Sequence, residues 1–464
     1  MATAPTRSDY GASDVPYVRM FVPELAPARL DHVAILSGVA PPARRGGFSW
    51  CDLGCGQGVT AVMLAAMHPA GTFYGIDAMP AHIHHARRLA AETGVANATF
   101  HAIEFGAAAD LDLPRFDYIL AHGVYSWVSE QVRADLRSFI DRHLKPSGLV
   151  YISYNALPGR AADLPLQRLV RALAGSLDGN SIERVSAALK IVHSMSDLRV
   201  QALARSHMLD RINQAKNNFA GAYLAHELLA PHWEPSGVTD VRADMALIEL
   251  EPAGSATLLE NYDNFVLKSA ARALLAGIAD PNLRELLRDF FIDQAFRRDI
   301  FVRGATRLGA GDQRRLLLAS AYGLTRQPSR IEYVMVPPAG RITFDNAASR
   351  SIVAALASGP AILGEIAQQH GIAPADAVAG ALILCASGQM QPAESIPAQV
   401  TNFNAAVLRR LQGPEEIEYL AMPFGTHIYI NDAVREFLTQ GTTVDAEPSW
   451  RDFLAVHGWS NSAF

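Results

Sequence analysis

The nine residues Trp50-Cys51-Asp52-Leu53-Gly54-Cys55-Gly56-Gln57-Gly58 constrain this chain more than any other stretch. A hydrophobic strand over 48–53 ends in a G-x-G-x-G turn, and an apolar helix over 59–67 starts at once. Strand, glycine turn and helix in direct succession belong to an open α/β sheet, where they aim backbone N–H groups and a helix N-terminus at a nucleotide-like ligand. Asp52, just ahead of the first glycine, is placed to take a cationic amino-acid group. Asp77 closes the next strand, Thr72-Phe73-Tyr74-Gly75-Ile76-Asp77, where a carboxylate can accept both hydroxyls of a ribose. No phosphate-binding lysine follows the turn, so this is not a Walker loop.

The D-L-G-C-G-x-G form with an acidic end on the second strand resembles the class I S-adenosylmethionine (AdoMet)-dependent methyltransferases. An NAD-type dehydrogenase is the alternative for such a turn. The methyltransferase resemblance implies AdoMet held by Asp52, Gly54, Cys55, Gly56, Gly58, Asp77 and Ala78. Glu104, after the third strand, is in position for the adenine amine, with Phe105 stacking beside it. His122, at the end of the fourth strand, borders the same ligand. Residues 1–45 form an N-terminal cap segment, with Tyr17 and Phe21 folding over the methionine end of the cofactor.

With 464 residues, half of them apolar, the chain has material for two or three domains. A net charge of -6 and no basic stretch argue against nucleic acid as a partner. The three cysteines, two of them in or beside the turn, are too few for a disulfide framework and suit a reducing compartment. The first residues lack an apolar leader, and the longest apolar stretch, 377–386, is about half of what a bilayer needs. A soluble cytoplasmic protein without a membrane partner is expected; a homodimer is one state open to it.

Strand and helix alternate regularly from 46 to 160, as a parallel Rossmann-like α/β sheet requires. Strands are predicted over 98–103, 116–121 and 149–154, with a turn at Lys145-Pro146-Ser147-Gly148 and helices over 80–92 and 129–143. Residues 161–310 read as a helical lid and regulatory middle domain, with helices over 168–174 and 182–193 closing the cofactor cleft. Strand-like pieces at 246–250 and 299–303, separated by helices over 256–265 and 282–296, are candidates for the antiparallel pair that finishes a methyltransferase sheet. Residues 311–464 are expected to form a C-terminal winged-helix-like α+β module. Its hairpin would use 330–336 and 340–344, and its helices 347–357, 361–370 and 374–386. No Lys or Arg lies between Arg350 and Arg409, so such a module cannot neutralise DNA phosphates and is read as structural or protein-binding.

Methyl transfer from a sulfonium is an in-line displacement, so alignment and exclusion of water carry the catalysis. Acceptor-facing residues are expected at the ends of strands four and five: His122, Tyr125 and Trp127, then Tyr154 and Asn155. Tyr125, Trp127 and Tyr154 would wall an amine by cation–π contact, at about 0.5–2 kcal/mol each. Asn155 would orient the acceptor, and His122 is the rival base for an oxygen acceptor. The Asn-Pro-Pro-Tyr motif of DNA-amine and glutamine methyltransferases is absent. No metal is expected: His226-Glu227 lacks the second histidine of HExxH, since His232 follows Pro231, and His82, His84 and His85 have no acidic or thiolate partner on their helix face.

Together with the cofactor turn, the pieces His122-Gly123-Val124-Tyr125-Ser126-Trp127-Val128, Tyr154-Asn155-Ala156-Leu157-Pro158-Gly159, Ala222-Tyr223-Leu224-Ala225-His226-Glu227, Gly254-Ser255-Ala256 and Phe296-Arg297-Arg298-Asp299 resemble bacterial methyltransferases that carry a methyltransferase regulatory domain. The resemblance covers roughly residues 15–305. It implies methyl transfer to protein lysine; a small-molecule N- or O-acceptor and a non-catalytic AdoMet-binding scaffold are the alternatives.

Overall fold

The structure, a computed structural model, describes residues 12–44, 46–214, 221–394, 398, 400–411, 413 and 416–440. The first eleven residues of the expected cap segment and the last twenty-four of the expected C-terminal module lie outside the described residues.

Helix α1 (Pro27–Leu36) leads into strand β1 (Phe48–Leu53), all six residues of which are buried. Then follow α2 (Val59–Met67), β2 (Gly71–Asp77), α3 (Pro80–Thr93), β3 (Ala98–Ala102), the short α4 (Phe105–Ala108), β4 (Phe116–Ala121), α5 (Glu130–His143) and β5 (Leu144–Asn155). Ser129 caps α5 by accepting from Val132 N at 3.4 Å, which satisfies one of the free N–H groups of the first turn. The expected turn at 145–148 is absorbed into β5. Its pairing with β4 shifts register between Phe116 and Tyr118, so Ser147 bulges at φ 60° while the strand continues.

The lid helices are α6 (Leu164–Gly175), α7 (Ser181–Asp197), α8 (His207–Gln214) and α9 (Gly221–Leu229). Asn180 caps α7 in a reciprocal capping box with Glu183. Val170, Val185, Leu189, Ala225 and Leu228 form a separate apolar cluster, so the lid has its own small core.

Of the piece expected as a strand at 246–250, Ala246 ends α10 (Val238–Ala246), whose Val238, Val241 and Met245 are buried at helical spacing, and residues 247–249 form a turn. The strand starts one turn later, as β6 (Leu250–Ser255). The helix expected over 256–265 breaks into a 3-10 turn at Leu258–Asn261 and α11 (Asp263–Val266). Helices α12 (Ser269–Ala276) and α13 (Pro281–Ile292) precede β7 (Phe296–Arg303). Strand order in the seven-stranded sheet is β3-β2-β1-β4-β5-β7-β6, parallel through β5, with β7 and β6 antiparallel at one side. The central sheet thus draws its last two strands from the segment expected to form the middle domain.

Beyond it come α14 (Ala310–Ala319), β8 (Ala321–Leu324), the two-residue pair β9 (Val334–Met335) and β10 (Ile342–Thr343), α15 (Ala347–Leu356), β11 (Ala361–Ile362), α16 (Leu363–Gln369), α17 (Pro374–Ala386) and β12 (Met390–Ala393). The expected hairpin therefore shrinks to two pairs, while β11, β8 and β12 form a three-stranded sheet backed by helices. This module does not hang from a linker. Leu317, Leu363 and Leu384 share one continuous core with Leu30, Val33 and Trp50. Arg44 also bridges Asp31 at 2.9 Å and Glu394 at 2.5 Å, tying β12's end to α1.

Candidate functional site

The glycine turn after β1 is held closed from the end of β2. Gly54 N and Cys55 N donate to Ile76 O at 2.7 and 3.1 Å, and Gly56 N donates to Asp77 Oδ2 at 3.0 Å. Asp77 Oδ1 accepts from Met79 N at 2.8 Å and lies 3.1 Å from His82 Nδ1. Three of the roughly four lone-pair sites of this carboxylate are thus engaged by the protein itself. Asp77 therefore shapes the turn. Gly58 takes φ +74° and caps α2; a Cβ there would stand 2.4 Å from Ala86 Cβ. Gly56, at φ +53°, has no atom within 4 Å of where its Cβ would point.

Asp52 is only 4% exposed, and its Oδ1 has no hydrogen-bond partner. Burial, with the Asp77 charge beside it, pushes its carboxyl up to about 7. An unpartnered carboxylate oxygen beside an open glycine turn fits a ligand that brings its own cation, as the amino-acid end of AdoMet does. Of the other expected cofactor residues, Cys55 and Ala78 flank the turn half-buried, Phe105 is half-buried on α4, and the Glu104 residue ahead of it is exposed.

The N-terminal segment is laced across this turn. Tyr17 N donates to His82 Nε2 at 3.1 Å, the Gln57 amide donates to Tyr17 O, and Arg19 Nε donates to His85 Nε2 at 3.3 Å. Val22 N donates to Thr60 Oγ1 at 3.1 Å. At its other end Asp14 accepts from Ser181 N and Oγ at 2.9 and 2.5 Å, and His226 Nε2 donates to Val15 O at 2.8 Å. Segment and lid are therefore fastened together. Tyr17 sits against His226, ring centroids 5.1 Å apart, and 6.4 Å from Tyr223. His82 and His85 act here as anchors for the segment.

Of the expected acceptor-side aromatics, Tyr125 and Tyr154 do meet, with ring centroids 6.2 Å apart, but they meet inside the core, and Trp127 is not with them. Side chains alternate along β5, and Tyr154 falls on the face of Val150 and Ile152, inside the core beneath the sheet. It is fully buried, and its hydroxyl donates to Asp299 Oδ2 at 2.6 Å; Asp299 in turn binds Arg297, which also holds Asp289 at 2.5 Å. Tyr125 lies in the same core, its hydroxyl bonded to Asp244 and the Arg133 guanidinium 4.9 Å over its ring. Trp127 points elsewhere and packs against the lid cluster. The amine wall expected from these three rings is thus replaced by two core tyrosines and one lid contact. Period-two alternation from the buried Val150 and Ile152 was the signal that separates Tyr154 from the cleft.

The opposite face of β5 carries Tyr151, Ser153 and Asn155. His122 Nδ1 lies 2.9 Å from Tyr151 Oη and 3.2 Å from Ser153 Oγ. Burial pushes His122 down to about 4, against the pull of Glu24 and with Arg298 adding to the push. Asn155, 2% exposed, donates its backbone N–H to Ser126 Oγ at 2.8 Å, while its Nδ2 has no partner. One residue escaped the sequence reading. Glu227, on α9, faces Arg160, Arg211, Tyr17 and Tyr223, and burial pushes its carboxyl up to about 7. It is the glutamate of the His226-Glu227 pair, which lacks the second histidine of HExxH. Among the described residues no cluster of His, Cys, Asp or Glu could hold a metal, and no helix is long and apolar enough to cross a membrane.

Comparison with known proteins places a methyltransferase domain over residues 45–193 and a predicted methyltransferase regulatory domain over residues 220–303. The uncharacterized protein sll1526 of Synechocystis sp. is 32% identical over 431 residues, covering 90% of this chain and 85% of that one. The uncharacterized protein RP028 of Rickettsia prowazekii is 26% identical over 218 residues, covering 47% of this chain and 86% of the other. Among solved structures, PKMT2 from Rickettsia typhi in complex with AdoHcy shares the fold with a TM-score of 0.69 at 19% identity, over 91% of this chain and 88% of that one.

Proposed function

Because this chain belongs to the AdoMet-dependent methyltransferases that join a methyltransferase domain to a methyltransferase regulatory domain, we propose that its acceptor is an amine, the side-chain nitrogen of lysine in a protein. When bound, AdoMet supplies a methyl carbon activated on a sulfonium. The chain's own part is to hold, align and dry the reactants. Asp52 would take the cofactor's ammonium, Gly56 would leave room for close approach, Gly54 and Gly58 let the turn pack tightly on Val124 and Ala86, and Asp77 would edge the ribose. The segment around Tyr17 covers the methionine end, and Asn155 orients the acceptor.

The observation that carries the amine reading is the state of His122. An oxygen acceptor needs a base to take its proton, and His122 is the base at the strand ends. With its imidazole pushed down to about 4 and Nδ1 already engaged by Tyr151 and Ser153, it is a poor one. An amine needs only the loss of its own extra proton. The name of the fold neighbour PKMT2, a protein-lysine methyltransferase, supports the protein-lysine class. The test is incubation of the full chain with methyl-labelled AdoMet and fractionated lysate, followed by mass spectrometry. Methyl-lysine in protein is the expected product. Label confined to small molecules, or released from protein by mild base as an ester, would overturn the reading.

A further inference from the structure

We propose that Glu227, on the lid helix α9, is the group that takes the proton from the acceptor ammonium, with the Tyr17 and Tyr223 rings as walls for the amine. This rests on the amine reading above. Three contacts lead from Asp77 to the residue before this carboxylate: Asp77 to His82 at 3.1 Å, His82 to Tyr17 N at 3.1 Å, and Tyr17 ring to His226 ring at 5.1 Å. Glu227 is the next residue after His226 and lines a narrow crevice with Met208, Arg211, Ile212, Tyr223 and Leu228. The lid therefore sets a carboxylate beside Tyr17, on the segment that crosses the glycine turn, while the residues just after β4 and β5 include no Asp or Glu.

The bonding of Glu227 sets it apart from the structural carboxylates around it. Asp163, on the same lid, accepts from Arg160 at 3.0 Å, Ser206 Oγ at 2.9 Å and Met208 N at 2.8 Å. Glu227 is half-buried and accepts no hydrogen bond from any described residue. The charged and titratable groups facing it are Arg160 from the loop after β5, already held by Asp163, Arg211 from α8, Tyr17 from the N-terminal segment and Tyr223 on its own helix. Burial pushes the carboxyl up to about 7 despite both arginines, near the operating pH where a proton acceptor is most effective. In the step itself an ammonium N–H bond breaks and an O–H bond forms on Glu227. The freed nitrogen lone pair then forms the N–CH3 bond as the S–CH3 bond breaks and its electron pair stays on sulfur. The proton on Glu227 passes to water before the next turnover.

The experiment compares the full chain with Glu227→Gln and Glu227→Asp. Glu227→Gln is expected to lower kcat by roughly 10²–10⁴-fold, leave AdoMet affinity within about twofold, and abolish the rise of kcat through pH 7. Glu227→Asp is expected to recover part of the rate. A second readout does not involve turnover. A carboxyl whose folded pKa is raised contributes stability at low pH that is lost as pH rises through about 7. The thermal midpoint of ligand-free Glu227→Gln should therefore gain on the wild-type chain between pH 5 and pH 8. A Gln variant with wild-type turnover, or one that loses AdoMet affinity in step with turnover, would overturn the proposal. Methyl esters or ethers made by the wild-type chain would overturn the amine reading, and this proposal with it, before any variant is tested.

Discussion

The cofactor side and the acceptor side of this cleft are built in opposite ways. The cofactor side is local. Asp52, Gly54, Gly56, Gly58 and Asp77 lie within 26 positions of one another, and backbone hydrogen bonds between the ends of β1 and β2 fix their geometry. The acceptor side, as proposed above, would be assembled from Tyr17, Asn155, Arg160, Arg211, Tyr223 and Glu227, contributed by the N-terminal segment, the end of β5 and the loop after it, and two lid helices. Chemistry shared across a superfamily can be locked into one turn, whereas substrate choice is left to parts that can vary separately.

The sharpest test of the local side is Gly56→Val. No atom lies within 4 Å of the added Cβ, so the fold should lose little beyond the strain of a branched residue at φ +53°. The open space is where the ligand must lie, so calorimetry should find AdoMet binding abolished while the chain remains folded. Retained binding would break the assignment of the turn.

Asp77→Ala should weaken AdoMet by roughly 2–3 kcal/mol, the worth of hydrogen bonds to a charged group. Because Gly56 N and Met79 N lose their acceptor as well, the thermal midpoint should also fall. Affinity unchanged in a folded variant would remove Asp77 from the ribose site.

Asp52 offers a pH test. Its carboxyl, pushed up to about 7 by burial and Asp77, must ionise to meet a cationic ligand. AdoMet affinity should therefore fall by up to about tenfold per pH unit below 7. Stability has the opposite sign, since ionising a buried carboxyl costs the ligand-free fold and the contribution is lost as pH rises through about 7. Asp52→Asn should accordingly raise the midpoint of the ligand-free chain at pH 8 while weakening AdoMet. A variant that binds normally and shows no pH dependence would detach Asp52 from the ligand.

Tyr154→Phe is expected to have the smallest functional effect and sharpens the boundary between the two sides. Removing the hydroxyl leaves Asp299 one donor short in a buried network, at a cost of about 1–3 kcal/mol in stability. Turnover, measured well below the midpoint, should stay within about twofold. A large loss of kcat with stability unchanged would return Tyr154 to the acceptor pocket.

The legible parts of the fold were those with short-range causes. β1, α2, β4 and α17 follow directly from hydrophobic runs bounded by glycine, proline or a cap. The segment 246–250 misled because a buried helix end and a strand start share the same apolar residues, and only packing of Val241 and Met245 on the sheet settles the boundary. Tyr125, Trp127 and Tyr154 misled for a different reason. Their closeness to strand ends said nothing about which face each ring would take, and strand parity sent Tyr154 into the core.

The sequence by itself determined a strand-turn-helix nucleotide site, because hydrogen bonding and glycine conformation in that turn are decided within a few residues. It also determined that the early strands run parallel, since helices alternate with them, but their order in the sheet came from the tertiary structure. Only the tertiary structure decided that Tyr17 is fastened across the turn by His82 and Gln57, and that Glu227, 150 positions beyond Asp77, faces Tyr17 and Tyr223. Those placements depend on packing between segments far apart in the chain, and no local periodicity records them.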